Sequence, residues 1–370
     1  MKSEIAIFLP TLGGGGAERN MVNLSRGLAD LGVSVSLLVA NAIGDFRGEV
    51  SEKVDLVDFK KTNTIKAFPD LLAFLDNHSP HVLLSTMNHA NLVAIGAVHA
   101  STSNTKVVVR EANTLSKTKE AARSFKGKLI PQLVQAFYPT ADHIIAPSEG
   151  VRCDLISNFT LEASQVSTIA NPVVDEKLFS LLSEEPEGDY FSGDLPVILG
   201  VGSFSEQKDF PNLIRAYAKV RQERNCRLVI LGRGPLKSSY LELIKDLNLD
   251  EVYFPGFVSN PFAFMSRAKV FVLSSKWEGL PNVPIQALAS GCLVVSTDCP
   301  SGPSEILNDP RFGSLVKTED SHALAQGILN ALDSDSNRYR EARLGRAMDY
   351  SVASISAKYL ALFRSLQNPD

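Results

Sequence analysis

The chain has 370 residues, more than one ordinary hydrophobic core holds, so two domains are expected. Hydrophobic residues make up 44%, charged residues 21%, and the formal net charge is −4, which excludes a disordered chain and any global attraction to nucleic acid. No stretch reaches the roughly 18 apolar residues of a membrane span, and residues 1–12 lack a signal-peptide cleavage pattern.

In chain order, Ile5–Leu9 reads as a strand, Ala17–Leu31 as an amphipathic helix and Val33–Val39 as a second strand. Val82–Leu84, Val107–Val109, His143–Ala146 and Val166–Ile169 are further strands with helical stretches between them. Asn171-Pro172 ends this series, and Leu182–Pro196, acidic and rich in Gly, Ser and Pro, reads as a hinge or linker. A second series follows, with strands Val197–Val201, Leu228–Leu231, Val252–Phe254, Val270–Leu273 and Leu293–Val295. Its helices include Pro211–Arg224, Leu236–Leu247, Pro261–Ala268 and Asn282–Ser290, and helical pattern fills Ser321–Leu366. Continuous apolar strands alternating with helices mean parallel sheets covered on both faces. The expected fold is therefore α/β, with two Rossmann-like doubly wound domains facing across a cleft, at 1–172 and 173–350. A C-terminal helix at about 351–366 is expected to return to the first domain.

Four cysteines, Cys153, Cys226, Cys292 and Cys299, show no CxxC spacing. They read as reduced, mostly buried thiols, which fits a cytoplasmic protein.

Three strand-to-helix turns carry candidate chemistry. The first is Gly13-Gly14-Gly15-Gly16-Ala17-Glu18-Arg19. Glycines admit a ligand close to the backbone, and a helix start favours an anion. The third glycine of a dinucleotide fingerprint is missing, and no Walker Lys-Ser/Thr follows. Gly14, Gly15 and Gly16 are thus a candidate floor for a donor phosphate or for the acceptor. The second turn is Gly202-Ser203-Phe204-Ser205-Glu206-Gln207-Lys208, where Lys208 stands at a strand's carboxyl end as a point charge for a diphosphate. Arg233, in Gly232-Arg233-Gly234, is a candidate bidentate phosphate ligand. The third turn is Glu278-Gly279-Leu280-Pro281-Asn282-Val283-Pro284-Ile285-Gln286. Here Glu278 can accept from sugar hydroxyls, the helix start can hold a diphosphate, and Gln286 can bond a ribose diol.

Glu278–Val283 followed by Gln286–Gly291 resembles the E-x7-E region of family 4 retaining glycosyltransferases, and Ser296–Leu307 is similar to the segment that follows it. Gly13–Arg19 resembles that family's amino-terminal glycine loop, Gly202–Phe210 its phosphate-lysine segment, and Phe254-Pro255-Gly256-Phe257-Val258 its base-contacting turn. The likeness runs from about residue 5 to about 365. It implies the GT-B fold and transfer of a hexose or N-acetylhexosamine, with retention, from a nucleotide sugar to a glycan or lipid-linked acceptor. Uridine diphosphate is expected for the nucleotide by this resemblance alone. The resemblance also implies Lys208 and Glu278 as catalytic groups. Ser203, Arg233, Phe257, Gly279, Leu280, Asn282, Val283 and Gln286 would bind the donor.

Three positions depart from the family pattern. Gln286 replaces the second glutamate, Ser203 stands where many members carry an arginine, and Ala112 where relatives often have histidine. The acceptor-side catalytic group is thus unassigned, and Glu111, at a strand end in Arg110-Glu111-Ala112-Asn113, is a candidate for it. In the retaining family the departing diphosphate itself takes the acceptor's proton, so the protein's task is electrostatic. No cofactor or metal is expected. The Asp-x-Asp at Asp333-Ser334-Asp335 reads as a solvated linker, and His78, His81, His89, His99, His143 and His322 lack metal-ligand spacing.

Between Lys106 and Lys128, Lys106, Arg110, Lys117, Lys119, Arg123, Lys126 and Lys128 stand against Glu111 and Glu120, with Phe125, Leu129, Ile130, Leu133 and Val134 close by. Residues 106–134 are therefore a candidate contact with the anionic inner face of the cytoplasmic membrane, the alternative being a solvated helix face. Two other functional classes stay open at this level: a nucleotide-sugar epimerase, which needs paired acid and base groups, and a catalytically inert binding module.

Overall fold

The structure is a computed structural model. It describes residues 4–13, 15–122 and 125–367, without the side chains of residues 125, 126 and 128. Gly14 and Arg123, named above, lie outside the described residues, as do the side chains of Phe125, Lys126 and Lys128. The chain divides into two compact domains, Met1–Val173 with Val352–Asp370, and Val174–Ser351.

Domain one holds strands β1 (Ile5–Thr11), β2 (Val35–Asn41), β3 (Asp55–Asp58), β4 (Val82–Thr86), β5 (Lys106–Arg110), β6 (His143–Ala146) and β7 (Val166–Thr168). Its helices up to the domain boundary are α1 (Gly16–Asp30), α2 (Phe68–His78), α3 (Asn88–Ala100), α4 (Leu115–Ala121), α5 (Phe125–Phe137) and α6 (Glu149–Phe159). The strands form one parallel sheet in the order β3-β2-β1-β4-β5-β6-β7. The apolar run of β1 divides by period two. Ala6 and Phe8 enter a core built with Leu71, Phe74, Ala94 and Val151. Ile5, Ile7 and Leu9 enter the core on the opposite face with Met21, Leu24 and Leu28.

Domain two opens with α7 (Glu176–Leu181) and then β8 (Val197–Val201), α8 (Phe210–Glu223), β9 (Arg227–Leu231), α9 (Lys237–Asp246), β10 (Val252–Gly256), α10 (Pro261–Arg267) and β11 (Val270–Leu273). It continues through α11 (Asn282–Ala289), β12 (Leu293–Thr297), α12 (Pro303–Ile306), β13 (Ser314–Val316), α13 (Ser321–Leu332) and α14 (Arg340–Met348). The parallel order is β10-β9-β8-β11-β12-β13. One face is covered by Phe210, Leu213, Tyr217, Tyr240, Leu324 and Ile328.

The final helix, α15 (Val352–Gln367), belongs to domain one, where Ile355, Tyr359 and Phe363 join the core beside α1. Gly27 permits this approach. A Cβ there would run into the Ser356 hydroxyl and come within 2.8 Å of Val352 Cγ1.

Two expectations need revision. The helical pattern of Ser321–Leu366 is three helices, because the polar run 333–339 and the turn at 349–351 interrupt it. The segment 182–196 is less a loose linker than expected. Tyr190 packs its ring on Tyr253 and Phe264, Phe191 meets Phe264 edge-on, and Arg227 donates to the Tyr190 and Ser192 carbonyls. Aromatic anchors and a buried-edge arginine thus tie a Gly/Ser/Pro-rich stretch to domain two. Cys226, Cys292 and Cys299 are buried and Cys153 is exposed.

Candidate active site

In each sheet the chain turns one way from one central strand and the opposite way from its neighbour. In domain two those strands are β8, which leads to β9, and β11, which leads to β12. The loops leaving their carboxyl ends diverge and open a crevice, which is where open α/β sheets bind ligands. Lys208 lies on the loop after β8 and Glu278 on the loop after β11. Across that divide Lys208 Nζ donates to Glu278 Oε1 at 2.5 Å, with side-chain exposures of only 15% and 7%.

The pair is fixed from several sides. Ser275 donates its hydroxyl to Glu278 Oε1 at 2.6 Å, and Gln207 donates to Glu278 Oε2 at 3.2 Å and to the Trp277 carbonyl at 2.9 Å. Ser274 Oγ holds the Lys208 carbonyl at 2.8 Å. The aliphatic stem of Lys208 lies against Gly202, where a Cβ would stand 3.3 Å from its Cγ and Cδ. Asp209 follows in a left-handed conformation, φ 43°, and turns the chain into α8. An ammonium has three donors, so Lys208 keeps capacity for a phosphate oxygen while pinned by Glu278.

The two stretches read separately as family motifs, 278–283 and 296–307, buttress each other. Glu278 N donates to the Pro300 carbonyl at 3.1 Å. Gly302 sits at φ 96°, and a Cβ there would stand 2.6 Å from Pro281 Cδ and 2.9 Å from the Gly279 carbonyl. Only glycine fits that position. Cys299, buried beside the pair, has its thiol pushed up by burial first and then by the Glu278 carboxylate, so it stays protonated.

The remaining donor candidates lie in the loops after β8, β9, β10 and β11 and in α11. Gly279 and Leu280 are buried, and Asn282 and Val283 are half-buried in the first turn of α11. Gln286 is buried one turn further on. Arg233, after β9, lays its guanidinium over the exposed Phe257 ring, after β10, at 4.7 Å. This cation–π contact joins two residues that were singled out separately. Ser203 is exposed, its hydroxyl 3.1 Å from that of Ser205. Asp333 pairs with Arg224 at 3.2 Å, and Asp335 accepts the Asn337 amide at 2.9 Å.

In domain one Gly15 and Gly16 are exposed at the start of α1. Glu111, directly after β5, is buried. Its carboxylate accepts from Asn88 Nδ2 at 2.7 Å, Tyr138 OH at 3.1 Å and the Ala112 amide at 3.0 Å. Burial pushes its pKa up, and the hydrogen bonds oppose that only in part. Arg110, counted above with the basic stretch, is 1% exposed and bonds Thr86 and Asn171. It is an interior residue and cannot meet a membrane. Gln207, Ser275 and the Asn88–Tyr138 pair escaped the sequence reading, since their partners are distant in the chain and each residue alone has an ordinary polar side chain.

The glycosyl transferases group 1 family model matches residues 184–347, and the Glycosyltransferase Family 4 model matches 14–177. A Campylobacter jejuni N-acetylgalactosamine-N,N'-diacetylbacillosaminyl-diphospho-undecaprenol 4-alpha-N-acetylgalactosaminyltransferase is 31% identical over 96% of this chain and 99% of its own. A second enzyme of that organism, a GalNAc-alpha-(1->4)-GalNAc-alpha-(1->3)-diNAcBac-PP-undecaprenol alpha-1,4-N-acetyl-D-galactosaminyltransferase, is 25% identical over 99% of both chains. The crystal structure of Anabaena HepE in complex with UDP-glucose superposes with a TM-score of 0.80 at 17% identity, covering 98% of this chain and 99% of that one. The chain belongs to the family 4 glycosyltransferases and has the GT-B fold. It is a glycosyltransferase.

Proposed function

We propose that this enzyme moves an N-acetylhexosamine or hexose, with retention, from a uridine diphosphate sugar to a lipid-linked glycan. The Lys208–Glu278 pair across the β8/β11 divide carries this reading. It sets a half-desolvated cation where a diphosphate would lie, and a carboxylate where sugar hydroxyls would be held. The names of the two Campylobacter jejuni relatives support the sugar and acceptor class, and the UDP-glucose complex of HepE supports the nucleotide.

In the proposed reaction the bond from the anomeric carbon to the β-phosphate oxygen breaks, and its electron pair leaves with the diphosphate. Lys208 and the amide end of α11 stabilise that charge as it develops. The acceptor oxygen bonds the anomeric carbon from the same face, and its proton passes to the departing phosphate oxygen. Glu278 orients the donor sugar, with Gly279, Leu280, Asn282 and Val283 around the diphosphate. Gln286 takes the ribose, and Arg233 with Phe257 flanks the base. Glu111 acts as a positioning group, fixing the ends of β4 and β5 through Asn88 and Tyr138. No metal takes part, because Lys208 and the helix supply the positive charge. The enzyme works at the inner membrane face, where a polyprenyl-linked acceptor is held.

The test is turnover and donor affinity of Lys208→Ala and Glu278→Ala, each assayed with and without EDTA. Each variant should lose roughly 10²-fold or more in kcat, as when an oxyanion-stabilising donor is removed. EDTA should change nothing in the wild type. Near-normal turnover in either variant, or loss of wild-type activity in EDTA, would refute the assignment.

A further inference from the structure

The ion pair between the β8 and β11 loops carries no net charge. Among the described residues, Glu278 is the one group that the Lys208 ammonium bonds, and little water reaches either side chain. Charges so enclosed are weakly screened, so a ligand against the pair feels both. Other cations of these loops are engaged elsewhere. Lys276, two residues before Glu278, pairs with Glu319 at 2.7 Å, and Arg233 lies over the Phe257 ring. Ser203, on the same turn as Lys208, bonds Ser205 and brings no charge.

The carboxylate is also held without the lysine. Ser275 donates to its Oε1 and Gln207 to its Oε2. It therefore stays in place when a phosphate oxygen takes one of the ammonium's remaining N–H groups. The two nucleotides of the reaction differ at the phosphate that meets this pair. In a nucleotide sugar the terminal phosphate is an ester with one negative charge. In the nucleoside diphosphate left after transfer it is free, with a second ionisation near about pH 6. Once the proton received from the acceptor is lost to solvent, that phosphate carries close to two charges. Lys208 attracts the added charge, and the carboxylate bonded to it repels the same charge. While the sugar is still attached, its hydroxyls can donate to that carboxylate instead.

We propose that Glu278 selects the intact donor over the nucleoside diphosphate and so drives product release. Its carboxylate is an acceptor for the sugar before transfer and a repelling charge after it. This rests on the donor-site reading above and adds a second role to the same side chain.

The experiment is titration calorimetry on the full chain, wild type and Glu278→Gln, with UDP and with UDP methylated on its terminal phosphate. The methyl ester has one charge fewer than UDP and no sugar. In the wild type the ester should bind at least as tightly as UDP. Glu278→Gln keeps an acceptor for Lys208 and Ser275 and removes the charge. UDP should there gain at least about tenfold in affinity, and the ester, with half the charge on that phosphate, about threefold. UDP-N-acetylgalactosamine should weaken in the same variant, because its hydroxyls lose a charged acceptor. UDP binding more tightly than the ester in the wild type, or UDP binding no better in Glu278→Gln, would overturn the proposal. The wild-type comparison decides the matter should the variant fail to fold. Failure of both UDP and the ester to bind the wild type would overturn the donor-site reading and the proposal with it. A wrong order of affinities with both ligands bound overturns the proposal alone.

Discussion

Two acids, Glu278 and Glu111, are both buried, and their surroundings differ. Glu278 has a cation, two side-chain donors and a carbonyl-anchored amide. Glu111 has neutral donors only, and burial outweighs them, so its carboxyl titrates above the ordinary 4.5. The folded chain then keeps a proton that the unfolded chain releases. The stability this confers is fully present below about pH 4.5 and is lost as pH rises through the folded pKa. Glu111→Gln has no proton to lose. Thermal melting from pH 4.5 to 7 should therefore show a flatter decline in the variant than in the wild type. Matching slopes would mean that the Glu111 carboxyl is ionised throughout.

At the level of elements, α15 is held to α1 by a contact with almost no tolerance. Gly27→Ala places a methyl on the Ser356 hydroxyl, which is buried and has no hydrogen-bond partner among the described residues. Overpacking of this kind costs about 1–3 kcal/mol. Ser356→Ala removes the obstructing atom and an unsatisfied hydroxyl, so alone it should be neutral or stabilising. It should also recover part of the Gly27→Ala loss. Denaturant melts of the four-member cycle measure this, and strict additivity would deny the contact. That helix was legible because 352–367 repeats Ile355, Tyr359 and Phe363 at helical spacing, and the central strands were legible as unbroken apolar runs. The edge strands β3 and β13 were not. Asp55–Asp58 has two apolar residues between acids, and Ser314–Val316 is only three residues long. Edge strands need neither length nor apolar faces, and tertiary pairing alone defines them. The candidate site divides the same way. The loops bearing Lys208 and Glu278 were visible as turns with special residues, while their ion pair joins positions 70 apart and arises from the strand order.

Over the whole molecule the charge is −4, so an anionic membrane repels the enzyme on average and any docking must be local. No helix among the described residues is long and apolar enough to cross a bilayer. The basic stretch offers less charge than its composition promised. Arg110 is interior, Lys106 pairs with Asp142 at 2.9 Å, and Lys117 pairs with Glu120 at 2.8 Å. The apolar side is better preserved. Leu129 and Phe137 are exposed and Leu133 is half-buried, at i, i+4 and i+8 along one side of α5. Docking on a lipid surface should therefore be led by these side chains, with Lys119 and its neighbours contributing about 1 kcal/mol each at most. Burying a large apolar side chain is worth about 1.5–3 kcal/mol. The double variant Leu129→Ser/Phe137→Ser should then lower co-sedimentation with phosphatidylcholine vesicles containing phosphatidylglycerol at least about tenfold. Omitting phosphatidylglycerol should have the smaller effect. If the double variant sedimented like the wild type, α5 would be a solvated helix and not a lipid-docking face.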